Sequence, residues 1–199
     1  MESSYTNVSS PTNRRNGGPS LSEWEVRPLS ELIRHIVERH HTWLRGELPA
    51  IAQLIRHTIE KAGHARARPF GEIERLFRKF QRETENHLKK EESVLFPLIE
   101  KLESRVASGV GPESQSFGPL RNPVQFMTED HELAERLLAK MKEMVVEDAA
   151  APDLAAERSA LLERLKTVEA DLEIHVKLED QILFPRAIRL EEGEKRPGL

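Results

Sequence analysis

Two segments of this chain are near copies of one another. "HLKKEESVLFPLI" (87–99) and "HVKLEDQILFPRAI" (175–188) agree at His, Lys, Glu, Leu, Phe and Pro, counted from each histidine. Each sits in a stretch whose apolar residues recur every three or four positions, the period of an amphipathic helix. His87 and Glu91 are four apart, as are His175 and Glu179. Residues four apart on a helix share a face. On a wheel of ~100° per residue, His87 and Glu91 fall inside the apolar arc of Leu76, Phe80, Val94, Leu95 and Leu98. His175 and Glu179 fall inside that of Leu172, Ile182 and Leu183. An ionised carboxylate in such a place must be paired, neutralised or metal-bound. A repeated pair of carboxylates beside a repeated pair of imidazoles is best satisfied by shared cations.

The rest of the chain supplies the frame. Residues 1–27 are rich in Ser, Asn, Gly, Pro and Arg and show no period, which predicts a disordered or loosely docked tail. Four helices are predicted after it, over about 28–61, 69–105, 123–147 and 153–192. Residues 193–199 form a C-terminal tail. No stretch reads as a strand. Pro49 should bend or restart the first helix. The Gly/Ser/Pro-rich segment 107–123 is a long connection for a helical bundle. The prediction is an all-α, up-down-up-down four-helix bundle spanning 28–192, built from two pseudo-repeated hairpins.

Composition removes several function classes. The 199 residues contain no cysteine, which excludes disulfides, thiolate metal sites and cysteine nucleophiles. Lys and Arg number 30 against 34 Asp and Glu, a balance that argues against nucleic-acid binding. No apolar run approaches the ~20 residues of a membrane span, and a basic-then-apolar leader is absent. A cytoplasmic protein is the expectation.

With helices two and four each giving a His and a Glu, helices one and three should complete the site. On helix three His131 is in phase with Met127, Ala134, Leu138 and Met141. On helix one the wheel favours His40 over its neighbour His41. Among the other histidines, His35 and His57 read as peripheral, and His64 falls in the first turn. Glu103, Glu191 and Glu192 read as solvated. Glu83 and Asp130 are candidate partners for the imidazoles. Four imidazoles with a bridging carboxylate from each half suit a non-haem di-iron centre, and the same ligand types accept manganese or a mixed Mn/Fe pair.

The segments "PLSELIRHIVERHHTWLRGELPAI" (28–51), "HLKKEESVLFPLI" (87–99), "VQFMTEDHELAERLL" (124–138) and "HVKLEDQILFPRAI" (175–188) resemble the hemerythrin-like (HHE cation-binding) family. Within it they are most similar to the iron–sulfur cluster repair branch. The resemblance implies two iron ions, oxo- and carboxylate-bridged, with His41, His87, His131 and His175 as terminal ligands and Glu91 and Glu179 as bridges. It selects His41 where the wheel selects His40, leaving His40 a neighbour or alternate ligand. It implies small ligands such as oxygen, peroxide or nitric oxide, and iron–sulfur proteins as clients under nitrosative or oxidative stress. The alternative it leaves is an oxygen- or nitric-oxide-binding or sensing module without turnover; a metal-free structural bundle is a third reading. Two departures stand out. Oxygen-carrying hemerythrins have a second histidine four residues along helix three, where this chain has Glu135. Many repair-branch members carry an N-terminal cysteine segment, and this chain has no thiol.

Overall fold

A computed structural model describes residues 20–63, 67–110, 118–147 and 154–193. Its elements in chain order are α1 (Leu21–Trp24), α2 (Leu29–Ile36), α3 (Thr42–Ala62), α4 (Ala67–Lys90), α5 (Phe96–Ala107), α6 (Arg121–Glu147), α7 (Ala155–Leu178) and α8 (Phe184–Glu191). Single π-helical turns join three pairs of them: Val37–His41 links α2 to α3, Glu91–Leu95 links α4 to α5, and Glu179–Leu183 links α7 to α8. The result is four long rods. The first packs on the second, the second on the third, the third on the fourth, and the fourth closes back on the first. This is the four-helix bundle expected from the apolar period, and the described residues contain no strand.

The π turns have a local cause. In the two repeats a proline follows each π turn at the second position of the next helix. Pro97 and Pro185 have no N–H to offer the carbonyl four residues back, and their rings crowd it. The helix answers by widening: the Phe96 N–H reaches the Glu91 carbonyl and the Phe184 N–H reaches the Glu179 carbonyl, five residues back. In the first rod the Thr42 N–H makes the same reach to Val37, and the Thr42 hydroxyl donates to that carbonyl at 3.0 Å. Pro49, by contrast, sits exposed inside α3, which runs on through it to Ala62 rather than restarting.

The core divides into two apolar clusters. One gathers Leu44, Leu48, Ile51, Phe77, Phe80, Leu138, Leu165 and their neighbours. The other gathers Leu32, Ile36, Leu95, Phe96, Met127, Leu178, Phe184 and their neighbours. The buried polar side chains His40, His41, His87, Glu91, His131, Asp171, His175 and Glu179 lie on the same four rods, where one cluster gives way to the other. Val94, expected to face inward, is instead exposed, and Phe96 and Ile99 take the core positions. The extra residue in the Glu91–Leu95 turn rotates everything after it.

The end of the segment read as a tail is built in. Ser20 and Glu23 form a reciprocal cap on α1, and Trp24 is buried in the second cluster. Arg186 donates to the carbonyls of Trp24 and Arg27 at 2.6 and 2.7 Å, tying this segment to α8. Residues 1–19, 64–66 with His64, 111–117 in the 107–123 connection, 148–153 and 194–199 lie outside the described residues.

Two carboxylates read as solvated also have structural work. Glu103, late in α5, accepts the N–H groups of Leu29 and Ser30 at 2.7 and 3.0 Å, capping α2. Glu191, late in α8, accepts the N–H of Leu120 at 2.9 Å, just before α6. The two caps are equivalent under the internal two-fold. From Leu29 to His41 is twelve residues (41 − 29), and from Leu120 to His131 is eleven (131 − 120). The π turn Val37–His41 absorbs the extra residue.

Candidate metal centre

Six side chains from all four rods meet in the polar layer. His41 comes from the end of the first π turn, His87 from α4, His131 from α6 and His175 from α7. Glu91 and Glu179 each open a π turn. All are buried, and both glutamates are fully so. The Nε2 atoms of His41 and His175 lie 3.1 Å apart, as do those of His87 and His131. Glu91 Oε2 is 3.4 Å from the Nε2 atoms of both His41 and His87. Glu179 offers Oε1 to His175 at 2.8 Å and Oε2 to His131 at 3.1 Å.

These atoms form two groups that could each hold a metal ion: His41, Glu91, His175 and Glu179, and His87, Glu91, His131 and Glu179. Both glutamates belong to both groups. The donor set fits a pair of cations on two counts. Metal–nitrogen bonds of ~2.1 Å at a right angle place two nitrogens ~3 Å apart, the separation of each imidazole pair here. And neither oxygen of the fully buried Glu91 has a hydrogen-bond donor among the described residues. A carboxylate stripped of water and of donors is an arrangement that a cation relieves.

The electrostatics carry the same strain. Burial pushes the Glu91 carboxyl well above its usual range, and the neighbouring Glu179 pushes it further. Burial would also raise Glu179, but His175 and His131 outweigh it and hold that carboxyl well below its usual range. Burial, and then His175, press His41 down to about 4. Burial lowers His87 as well. His131 is the exception: burial works against its charge, but Asp180 and Glu179 together hold it up at about 9.

Behind the six stands an outer ring of carboxylates. The Nδ1 of His41 meets Glu92 at 2.6 Å, and Arg45 holds the same Glu92 oxygen at 2.8 Å. The Nδ1 of His131 meets Asp180 at 3.3 Å. The Nδ1 of His87 faces Asp130 at 3.4 Å, and Lys90 holds that Asp130 oxygen at 2.8 Å. Hydrogen bonding to His87 is the main cause that lowers the Asp130 carboxyl to about 2. Such contacts fix the imidazole orientation and raise its basicity toward a metal. Of the two candidates for this role, Asp130 is in place; Glu83 instead takes Arg82 at 2.7 Å.

Glu92 and Asp180 were not picked out from the sequence, although each follows the buried glutamate of its repeat, as "EE" and "ED". Asp171 was missed too; it binds His40 Nδ1 at 3.0 Å. His40 is buried like His41 but belongs to neither metal-capable group. A π turn packs an extra residue onto the inner face, so the two neighbours both point inward. A wheel of constant pitch has no room for that outcome. His35 is half-buried, not solvated: its ring is 4.9 Å from Trp24 and 5.9 Å from His40, and burial lowers it to about 4. His57 is exposed.

A cavity of about 20 Å³, room for about one water, lies against the second group. His87, His131, His175, Asp130, Glu83 and Glu135 are among the residues that line it. Glu135 thus faces the cavity rather than the metal-capable groups.

The sequence model of the hemerythrin HHE cation-binding domain matches residues 32–187. The chain belongs to that family. It is similar to the iron–sulfur cluster repair protein YtfE of Citrobacter koseri, with 30% identity over 172 residues, 85% of this chain and 71% of the relative. The YtfE proteins of Escherichia coli strains match at the same identity and coverage. Membership in a cation-binding family agrees with the buried His/Glu groups. No described helix is long and apolar enough to cross a membrane.

Proposed function

We propose that this chain is a non-haem di-iron protein that repairs, or supplies iron to, damaged iron–sulfur centres under nitrosative or oxidative stress. His41, His87, His131 and His175 act as terminal ligands, and Glu91 and Glu179 bridge the two ions. The observation that carries the reading is the pair of fully buried glutamates, each shared by two groups of imidazoles. The similarity to iron–sulfur cluster repair proteins supports the choice of substrate class. When bound, the irons supply positions at which small ligands attach and from which iron can leave. The protein's part is to hold four imidazoles and two carboxylates in a dry layer, with Glu92, Asp130 and Asp180 fixing three of the rings.

The test uses protein loaded with ferrous iron under nitrogen. It should restore activity to an iron–sulfur enzyme inactivated by nitric oxide or peroxide, while metal-free protein and the Glu91→Ala variant should not. Equal recovery with free ferrous iron alone contradicts the reading.

A second reading, a module that binds or senses oxygen or nitric oxide without turnover, is favoured by the cavity beside His87 and His131. Nitric oxide binding with no restoration of the damaged enzyme would select it.

A further inference from the structure

The two metal-capable groups use the same residue types, but their surroundings differ. Under the internal two-fold, His41 matches His131, and His87 matches His175. The residue before His131 is Asp130, whose side chain is 26% exposed and holds the Nδ1 edge of His87. The residue before His41 is His40, whose side chain is only 4% exposed. Four residues before His87 is Glu83, 34% exposed; four before His175 is Asp171, 1% exposed. One half therefore carries two half-exposed acids beside a cavity. The other carries a sealed imidazole–carboxylate pair.

His40 fills the place of the missing anchor. Three of the four rings have a carboxylate within 3.4 Å of Nδ1, although at His87 the contact falls short of a hydrogen bond; the Nδ1 of His175 has neither a hydrogen bond nor a facing carboxylate among the described residues. Instead the His40 ring stacks on it, 5.4 Å between centroids and 9° from parallel. Asp171 grips His40 Nδ1 at 3.0 Å and sets that ring's plane. His35 then meets His40 edge-on and Trp24 covers His35. The column runs from the buried ligand out to α1.

Resting on the metal-centre reading, we propose that His40 and Asp171 are positioning residues that make the two ions leave in order. The ion at His41 and His175 is retained. The ion at His87 and His131, against the cavity, is the exchangeable one. Ligand exchange needs an incoming water or chelator and a ring that can swing away. The cavity offers the first to both rings of one group, His87 and His131, but of the other group it touches His175 and not His41. The stack denies the second to His175.

The test is iron release from protein loaded with ferrous iron under nitrogen, followed after adding excess ferrozine. The wild-type protein should release iron in two phases of equal amplitude. His40→Ala and Asp171→Ala should speed the slow phase by about 10–100-fold, the usual reach of a partner behind a ligand, and leave the fast phase alone. Asp171→Asn keeps an acceptor for His40 and should keep the slow phase. Ala134→Leu, on the cavity wall, should slow only the fast phase. It requires neither His40 nor Asp171 to be altered, so the ordering stays testable if those variants fold poorly. Release in one phase, an unmoved slow phase in His40→Ala protein that still binds both ions, or a fast phase untouched by Ala134→Leu overturns the proposal. Protein that takes up no iron at all would instead sink the metal-centre reading itself.

Discussion

The two halves of the polar layer share their ligand types and differ in their margins. In the half around His131 the supporting helix is a regular α-helix, and the residue before the histidine, Asp130, sits at the solvent edge. In the half around His41 the supporting rod carries a π turn, and the residue before the histidine, His40, is buried against Asp171. One added residue in one turn thus converts an exposed acid into a sealed ring stack. The lesson is that an internal repeat specifies the inner histidines and glutamates, while what surrounds them is decided one residue further out, where the halves have diverged.

The largest expected effect tests the shared part of the comparison. Glu91→Ala and Glu179→Ala should each remove most of the bound iron from both positions, because each carboxylate belongs to both groups. Elemental analysis of the purified variants reads this directly. Loss in one variant only would break the two-fold account.

Next comes the stability of the metal-free protein, where the two glutamates should part company. Glu179 has His175 at 2.8 Å and His131 at 3.1 Å, whereas Glu91 has imidazoles no nearer than 3.4 Å and neither of its oxygens has a hydrogen-bond partner among the described residues. Glu179→Leu should destabilise the apo protein by about 3 kcal/mol, the cost of breaking a buried pair from one side. Glu91→Leu should stabilise it, since it removes a buried carboxyl whose oxygens have no hydrogen-bond partner among the described residues. Denaturant midpoints of the two variants measure the split. Equal shifts of the same sign would show that the layer does not treat the pair differently.

A smaller effect tests the matched outer partners. Glu92→Gln and Asp180→Asn occupy equivalent places behind His41 and His131. Each should weaken iron binding by about 10–100-fold, as read by competition with a chelator. The smallest effect concerns the matched caps: Glu103→Ala and Glu191→Ala should each cost about 1 kcal/mol in thermal or urea unfolding, with metal content unchanged.

Much of this architecture is legible in the chain. The apolar period places all four rods within a few residues, and the His-to-Glu repeat identifies the buried histidines and glutamates of the metal-capable groups on two of them. What the period misses follows from its assumption of constant pitch. Val94 lands on the wrong face, and His41 is passed over for His40, because each lies in a π turn. The Leu-Phe-Pro of each repeat carried the signal for two of those turns, since a proline inside a helix demands a local rearrangement. Nothing comparable marks the turn at Val37–His41. Asp171, Glu103 and Glu191 act across the bundle on residues about 70 to 130 positions away, so the wheel of a single helix cannot name their partners. Trp24 was lost because a four-residue helix is too short to show a period.

The most direct measurement is the iron content of the chain after anaerobic loading and removal of free metal. Two ions per chain are expected, one for each group of donors, with loss of both on replacing Glu91 or Glu179. A chain that folds as a helical bundle and yet holds no iron under those conditions would contradict the account at its root.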